Sequence, residues 1–325
     1  MEESDFVLTP IPPQLEDVLR ARERIRPYIP PTPVEEANAL PGRVFLKLEN
    51  ANKTHSFKVR GALNAMLALT DEERERGVIT ASTGNHAQGV ANAARILGVK
   101  ATIIMPESAA RRKILGVKRL GAEIVLFGET YDEAEEEAHR LQHERGMTYV
   151  SPYNDPDVIA GAGTIGLEIL DAVKEVQRVI VPIGGGGLIS GIATVIKSRD
   201  PSIEVIGVNP LTSPEMYNLI YDLEHTTGGE SLADALPGKI EAGSITVEIV
   251  KQLVDRIVLA SEEDIARAMR YMAFEQGWIA EGGGVVGIAA LTNGAIPPEI
   301  PEGATVIVIS GGNVDGDVLR EALAL

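Results

Sequence analysis

From about Val44 onward, short β-branched runs alternate with stretches of helical periodicity. VFLKL precedes a helical pattern over residues 56–69, VITAS precedes one over 85–97, and ATIIMP precedes one over 109–120. Such alternation predicts a parallel sheet joined by crossover helices. Gly98 and Gly121 stand where helix C-caps belong, and Thr130 with Glu133 forms a capping box ahead of an acidic helix that ends at Gly146. A second series follows. Asp155-Pro156 opens a helix, RVIVP reads as a strand, a glycine-rich turn starts another helix, and EVIGV, DRIVLAS and ATVIVIS supply further strands. Ser261 and Asp264 cap a helix between the last two. The expected fold is α/β in two domains, a small one over residues 75–148 and a large one from 1–74 with 149–325.

Composition narrows the function. With 325 residues, 44% hydrophobic and 24% charged, the chain can bury a large core. Acidic residues outnumber basic ones by 47 to 30, a net charge of -17 that repels phosphate backbones and anionic membranes, so no nucleic-acid partner is expected. The absence of cysteine excludes disulfides, thiolate nucleophiles and cysteine-ligated metals. The start, MEESDF, is acidic, and no run approaches the roughly 18 apolar residues of a membrane span. A cytoplasmic protein without membrane partners is expected.

Several segments carry candidate chemistry. In VPIGGGGLISG a strand runs into Gly184, Gly185, Gly186 and Gly187 and then into a helix, so backbone N–H groups are bared at a helix N-terminus, where a phosphate binds. No Gly-Lys-Ser/Thr follows, which removes the main support for nucleoside triphosphate hydrolysis. Two G-x-G-x-x-G matches, at Gly161 to Gly166 and Gly282 to Gly287, lack a preceding strand of adequate length and argue little for a dinucleotide. His139 and His143 are four apart, but Arg140 stands where a zincin needs glutamate, and the surroundings read as a solvated face; no metal-ligating set is assigned. Lys58 follows Phe57 at the head of an apolar helical stretch, an unusual place for an ammonium group, though a packed stem with a solvated head would also account for it. ASTGNHAQG puts Ser82, Thr83, Gly84, Asn85 and His86 at a strand-to-helix junction, suited either to receiving a carboxylate or to ordinary capping. Ser310 ends a buried-type strand, where α/β sheets bind ligands.

Taken together, KLEN…T-x-SFKVRGA (47–62), ASTGNHAQGVA (81–91), DPDVIAGAGTIGLEI (155–169), GGGGL (184–188) and SGGN (310–313) resemble the fold-type II pyridoxal phosphate enzymes, the tryptophan synthase β-like family. Within it, they resemble the serine/threonine dehydratases and serine racemases, from about Pro31 to Asp315. The resemblance implies two domains with parallel-type twisted sheets and pyridoxal 5'-phosphate as cofactor. Lys58 would form the Schiff base and act as catalytic base, and Phe57 would lie under the pyridine ring. Asn85 would meet the ring 3-hydroxyl, Gly184 to Gly187 with Leu188 the phosphate, and Ser310 the ring nitrogen. The loop from Ser82 to His86 would receive the substrate carboxylate. The implied reaction is dehydration of L-threonine or L-serine to a 2-oxo acid and ammonia. The small domain would close over the site, and a homodimer is implied by the family.

Departures bear on the substrate. His55 stands where glycine is usual, Ala162 replaces a common glutamine, and Ala235 a glycine. Asn209 replaces a glutamate that belongs to a divalent-cation site in racemase-like relatives, with Glu215 remaining, so a divalent cation is left open. Thr83 occupies the position of the racemases' second acid/base, which puts it among the catalytic candidates and keeps serine racemase, beside 3-hydroxyaspartate dehydratase, as an alternative. The length matches the short, catabolic-type form, for which isoleucine feedback is not expected. A catalytically inactive amino-acid-binding module is the non-enzyme alternative, against which retention of Lys58 argues.

Overall fold

The computed structural model describes residues 10–109, 111–225, 229–298 and 303–324. The acidic start, Met1 to Phe6, therefore lies outside the described residues. Among the described residues ten strands form two sheets: β1 Val34–Glu36, β2 Val44–Leu48, β3 Val78–Ala81, β4 Ala101–Met105, β5 Glu123–Leu126, β6 Thr148–Tyr149, β7 Val176–Pro182, β8 Glu204–Pro210, β9 Arg256–Ala260 and β10 Ala304–Ile309. The larger sheet has the order β1-β2-β10-β7-β8-β9 and the smaller one β5-β4-β3-β6. Every pairing is parallel except β1 with β2.

Parallel strands covered on both sides bury alternate residues in opposite layers. In the larger sheet Ile180, Ile206 and Ile307 face a core built with the helices Glu262–Phe274 and Gly282–Thr292. Their neighbours Val179, Val181, Val205, Val306 and Val308 face the helices Pro156–Ala172 and Gly187–Arg199. The smaller sheet does the same. Val78, Ile103 and Met105 pack toward the helices Lys58–Ala68 and Asn85–Leu97, while Ile79 and Ile104 pack toward Tyr131–Arg145.

The helix boundaries follow the capping chemistry. Thr130 accepts from the backbone N–H of Glu133, whose carboxylate returns the bond, and Gly146 closes that helix in the left-handed region. Asp155 caps the helix whose first residue is Pro156, and Ser261 caps the helix Glu262–Phe274 by accepting from the Asp264 N–H. The pattern predicted over 109–120 is a helix from Arg111 to Arg119.

The two G-x-G-x-x-G segments both lie inside helices, where they serve close packing. A side chain on Gly161 would meet the backbone carbonyl of Arg60 at 2.7 Å, and one on Gly284 the carbonyl of Gly311 at 2.6 Å. The first contact brings the helix Pro156–Ala172 onto the helix that Lys58 begins. His139 is exposed, bonds to Gln142 and lies against the ring of Tyr149. Among the described residues no three His, Cys, Asp or Glu side chains are grouped to hold a metal. No described helix is long and apolar enough to cross a membrane.

Candidate active site

The C-terminal ends of β3, β7 and β10 converge on one cavity of about 720 Å³. It is lined by Phe57, Lys58, Ser82, Thr83, Gly84, Asn85, His86, Gly184, Gly185, Gly186, Gly187, Leu188 and Ser310, so every site residue expected from the sequence borders the same space. Their neighbours there include Tyr153, Asp234, Glu281 and Asn313. His55 and Ala162 are not among the lining residues, whereas Ala235 is.

Lys58 is the first residue of its helix, and its backbone N–H donates to the Ser56 hydroxyl at 3.3 Å. The segment before it is tied to the end of β10: Phe57 N–H donates to the Ser310 carbonyl at 3.0 Å, Gly312 N–H donates to the His55 carbonyl at 2.8 Å, and Ser56 bridges Gly311. This knot places Lys58 and Ser310 in one site although 252 positions separate them (310 − 58). The Lys58 ammonium lies 5.2 Å from the centroid of the Phe57 ring and donates to the Pro152 carbonyl at 2.7 Å. Burial pushes its pKa down to about 8, against the opposing charge of Glu281.

Behind Lys58 lies a buried ionic cluster. Arg60 donates to Glu49 at 2.7 and 2.9 Å and to Glu168 at 2.6 and 2.9 Å; Lys47 donates to Glu168 at 2.5 Å and to the Thr32 carbonyl at 2.8 Å. Two cations and two anions balance, which is what makes so much buried charge tolerable.

The glycine turn is shaped by its neighbours. Gly186 has φ +89°, in the left-handed region, and immediately precedes the helix Gly187–Arg199. A Cβ on Gly185 would lie only 2.4 Å from the Tyr153 ring, and one on Gly187 would meet the Tyr153 carbonyl at 2.9 Å. Bare backbone is therefore what the turn presents to the cavity.

At the end of β3 the Ser82 hydroxyl accepts from the N–H groups of Gly84 and Ala87 at 3.2 and 3.3 Å, so capping is part of this loop's work. His86 points Nε2 at the Val150 carbonyl, 2.9 Å away, and its Nδ1 is buried without a partner among the described residues. Burial first, then the Lys58 charge, push its pKa down to about 3. The imidazole is thus neutral, and because a carbonyl can only accept, Nε2 carries the hydrogen.

Glu281, just before the helix Gly282–Thr292, is buried and accepts from Asn85 Nδ2 at 2.7 Å and from the Asn313 N–H at 3.2 Å. Sequence reasoning did not single it out. Its signal was a lone carboxylate in the otherwise uncharged run WIAEGGGVVGIAA. The Asn209 amide is occupied, donating to the Ile183 carbonyl at 2.8 Å and accepting from the Tyr217 N–H at 3.1 Å. Glu215 has one oxygen on the Ser213 hydroxyl at 3.2 Å and the other buried without a partner among the described residues.

A family profile described as pyridoxal-phosphate dependent enzyme matches residues 25–312. The chain belongs to this pyridoxal-phosphate dependent family. Among its curated members, the L-threonine ammonia-lyase of Thermotoga maritima is 44% identical over 311 residues, 94% of this chain and 77% of that one. The catabolic L-threonine dehydratase of Staphylococcus aureus is 45% identical, over 93% and 89% of the two chains. Among solved structures of the pyridoxal-phosphate enzymes, maize serine racemase superposes with a TM-score of 0.89 at 31% identity, over 97% and 98% of the chains.

Proposed function

We propose that this protein is a pyridoxal phosphate-dependent ammonia-lyase that removes the β-hydroxyl from L-threonine or L-serine, giving a 2-oxo acid and ammonia. The observation that carries the reading is the convergence of Lys58, the bare turn Gly184 to Gly187, Asn85 and Ser310 on one cavity. The naming of its relatives as threonine ammonia-lyase and threonine dehydratase supports the substrate class.

The donor set fits the cofactor. A phosphate needs backbone donors that no side chain obstructs, and the N-terminus of the helix Gly187–Arg199 offers them beside Leu188. A pyridine nitrogen needs one small polar partner, and Ser310 has its carbonyl committed to Phe57, leaving its hydroxyl for the role. A ring hydroxyl needs a donor at Asn85. When bound, pyridoxal phosphate supplies an aldehyde that condenses with amines and a ring that draws electron density from the substrate Cα.

Lys58 is the base. Burial already brings it to about 8, so at neutral pH a useful fraction of its amine is free to take the α-proton on displacement by substrate. The β-hydroxyl leaves as water, protonated by the Lys58 ammonium that now carries the α-proton, and the resulting enamine is hydrolysed to the 2-oxo acid and ammonia. The first-turn N–H groups of the helix Asn85–Leu97, with Ser82, Thr83 and Gly84, receive the substrate carboxylate. His86, neutral and bonded to Val150, orients that turn rather than exchanging protons. Residues 75–148 close over the site; Lys113 in the helix Arg111–Arg119 already reaches Asp234 across the cavity at 3.1 Å.

Thr83 supports a second reading, because it borders the same cavity as Lys58 and a two-base racemisation needs a hydroxyl of this kind there. A homodimer in the cytoplasm completes the proposal, on the resemblance to the family. Release of 2-oxo acid from L-threonine, L-serine and L-threo-3-hydroxyaspartate tests it, with Lys58→Ala as control and D-serine formation followed in parallel. Rapid product from threonine or serine, lost in the variant, is expected; D-serine without 2-oxo acid would replace the lyase by the racemase.

A further inference from the structure

The Asn85 amide is held at both ends. Its Oδ1 accepts from Asn313 Nδ2 at 2.7 Å, and its Nδ2 donates to Glu281 Oε1 at 2.7 Å. Turning the amide over would set Oδ1 against a carboxylate and Nδ2 against another amide nitrogen, and both contacts are repulsive. Asn313 is itself fixed, since its Nδ2 also donates to the Thr54 carbonyl at 2.8 Å and its backbone N–H to Glu281 Oε2 at 3.2 Å. Hydrogens thus point in one direction along the chain, from Asn313 to Asn85 and from Asn85 to Glu281. Glu281 ends it as an acceptor of two bonds.

We propose that Glu281 is a positioning residue for the reaction: together with Asn313 it locks Asn85 so that an N–H, and not the carbonyl oxygen, is offered to the cofactor's ring oxygen. This rests on the role given to Asn85 in the proposed function. One hydrogen of Nδ2 is spent on Glu281, leaving the other as the donor, and a fixed donor favours an oxygen that carries negative charge. A freely turning asparagine would present its lone pairs part of the time and lose that preference.

The lock depends on Glu281 being ionised, because a protonated carboxyl gives up one of its two acceptor places to its own hydrogen. Burial, and then Asp234, push its pKa up to about 7, opposed by the bonds from Asn85 and Asn313 and by Lys113. Lys58 lies near enough that the charge of Glu281 helps to keep it protonated. Cofactor affinity should therefore weaken as pH falls through about 7.

The test titrates the full-length chain, freed of cofactor, with pyridoxal phosphate from pH 6 to 8.5, reading Kd and the absorption maximum. Glu281→Gln is expected to weaken binding about 10- to 100-fold at pH 8, the scale of a lost bond to a charged acceptor, and to flatten the pH dependence. Glu281→Asp should recover part of both. Should Glu281→Gln not fold, Asn313→Ala reads the other end of the lock and should weaken binding in the same way. Wild-type Kd, pH profile and absorption maximum in a folded Glu281→Gln protein would overturn the proposal, and so would a lowered Tm with those three unchanged. Failure of the wild-type chain to bind the cofactor or to release 2-oxo acid would instead overturn the function on which it rests.

Discussion

Lys58 Nζ donates to the carbonyl oxygen of Pro152 at 2.7 Å, and no carboxylate takes that place. A neutral acceptor does little to retain a proton, so burial prevails and the amine sits at about 8 instead of 10.5. The free-amine fraction of Lys58 accordingly rises as pH passes through about 8. In cofactor-free protein, reductive alkylation at Lys58, followed by peptide mass mapping across pH, should show a midpoint there. A midpoint near 10 would show that the ammonium is solvated and not held as described.

Gly185 has no room for a side chain, since its Cβ would lie only 2.4 Å from the Tyr153 ring. Gly185→Ala must displace that ring or the turn, and overpacking of this kind costs about 1–3 kcal/mol. The expected outcome is a loss of cofactor affinity of about tenfold or more, measured by equilibrium titration, and partial recovery when Tyr153→Ala is added to make room.

Arg60→Met should be the most damaging of the single substitutions. It leaves Glu49, fully buried, and Glu168, nearly so, without their main partner, which costs about 3–5 kcal/mol in a denaturant titration. The pH dependence has a definite sign. Burial alone would raise the Glu49 pKa, but the charge and hydrogen bonds of Arg60, with Lys47, hold it below its ordinary 4.5. Its contribution to stability is present above that ordinary value and is lost as pH falls below it toward the folded-state value. The wild-type urea midpoint should drop in that acid window, and less of that drop should remain in Arg60→Met.

His55 adopts φ +53°, in the left-handed region, and its side chain is exposed. The left-handed region costs a non-glycine residue about 1–2 kcal/mol, partly offset by the greater unfolded-state freedom of glycine. His55→Gly should stabilise the protein by about 0.5–1 kcal/mol in urea unfolding. Because His55 does not line the cavity, KM and kcat for threonine should stay within about twofold.

Local chemistry explains what could be read from the chain. Thr130 with Glu133, Asp155 before Pro156, Ser261 with Asp264 and Gly98 each act through bonds to residues a few positions away, and each forms as the sequence suggested. The glycine turn is legible for the same reason. Short or flanking elements were harder: β1 is three residues, β6 is two, and the helix Leu15–Ile25 precedes the region of regular alternation. Glu281 was missed because its partner Asn85 is 196 positions away, and only the folded chain sets them together. Gly161 and Gly284 carried a misleading spacing, since helix packing and phosphate binding both ask for a missing Cβ.

The quartet of Lys47, Glu49, Arg60 and Glu168 also constrains how this protein can change over generations. Any single neutral replacement passes through a stranded buried charge, whereas exchanging cation and anion together can be nearly free. Drift at these four positions should therefore proceed in compensated steps, and a mutant library that varies them one at a time will find almost nothing that paired variation would recover. The residues beside Lys58 are kept in place by the difficulty of leaving them singly.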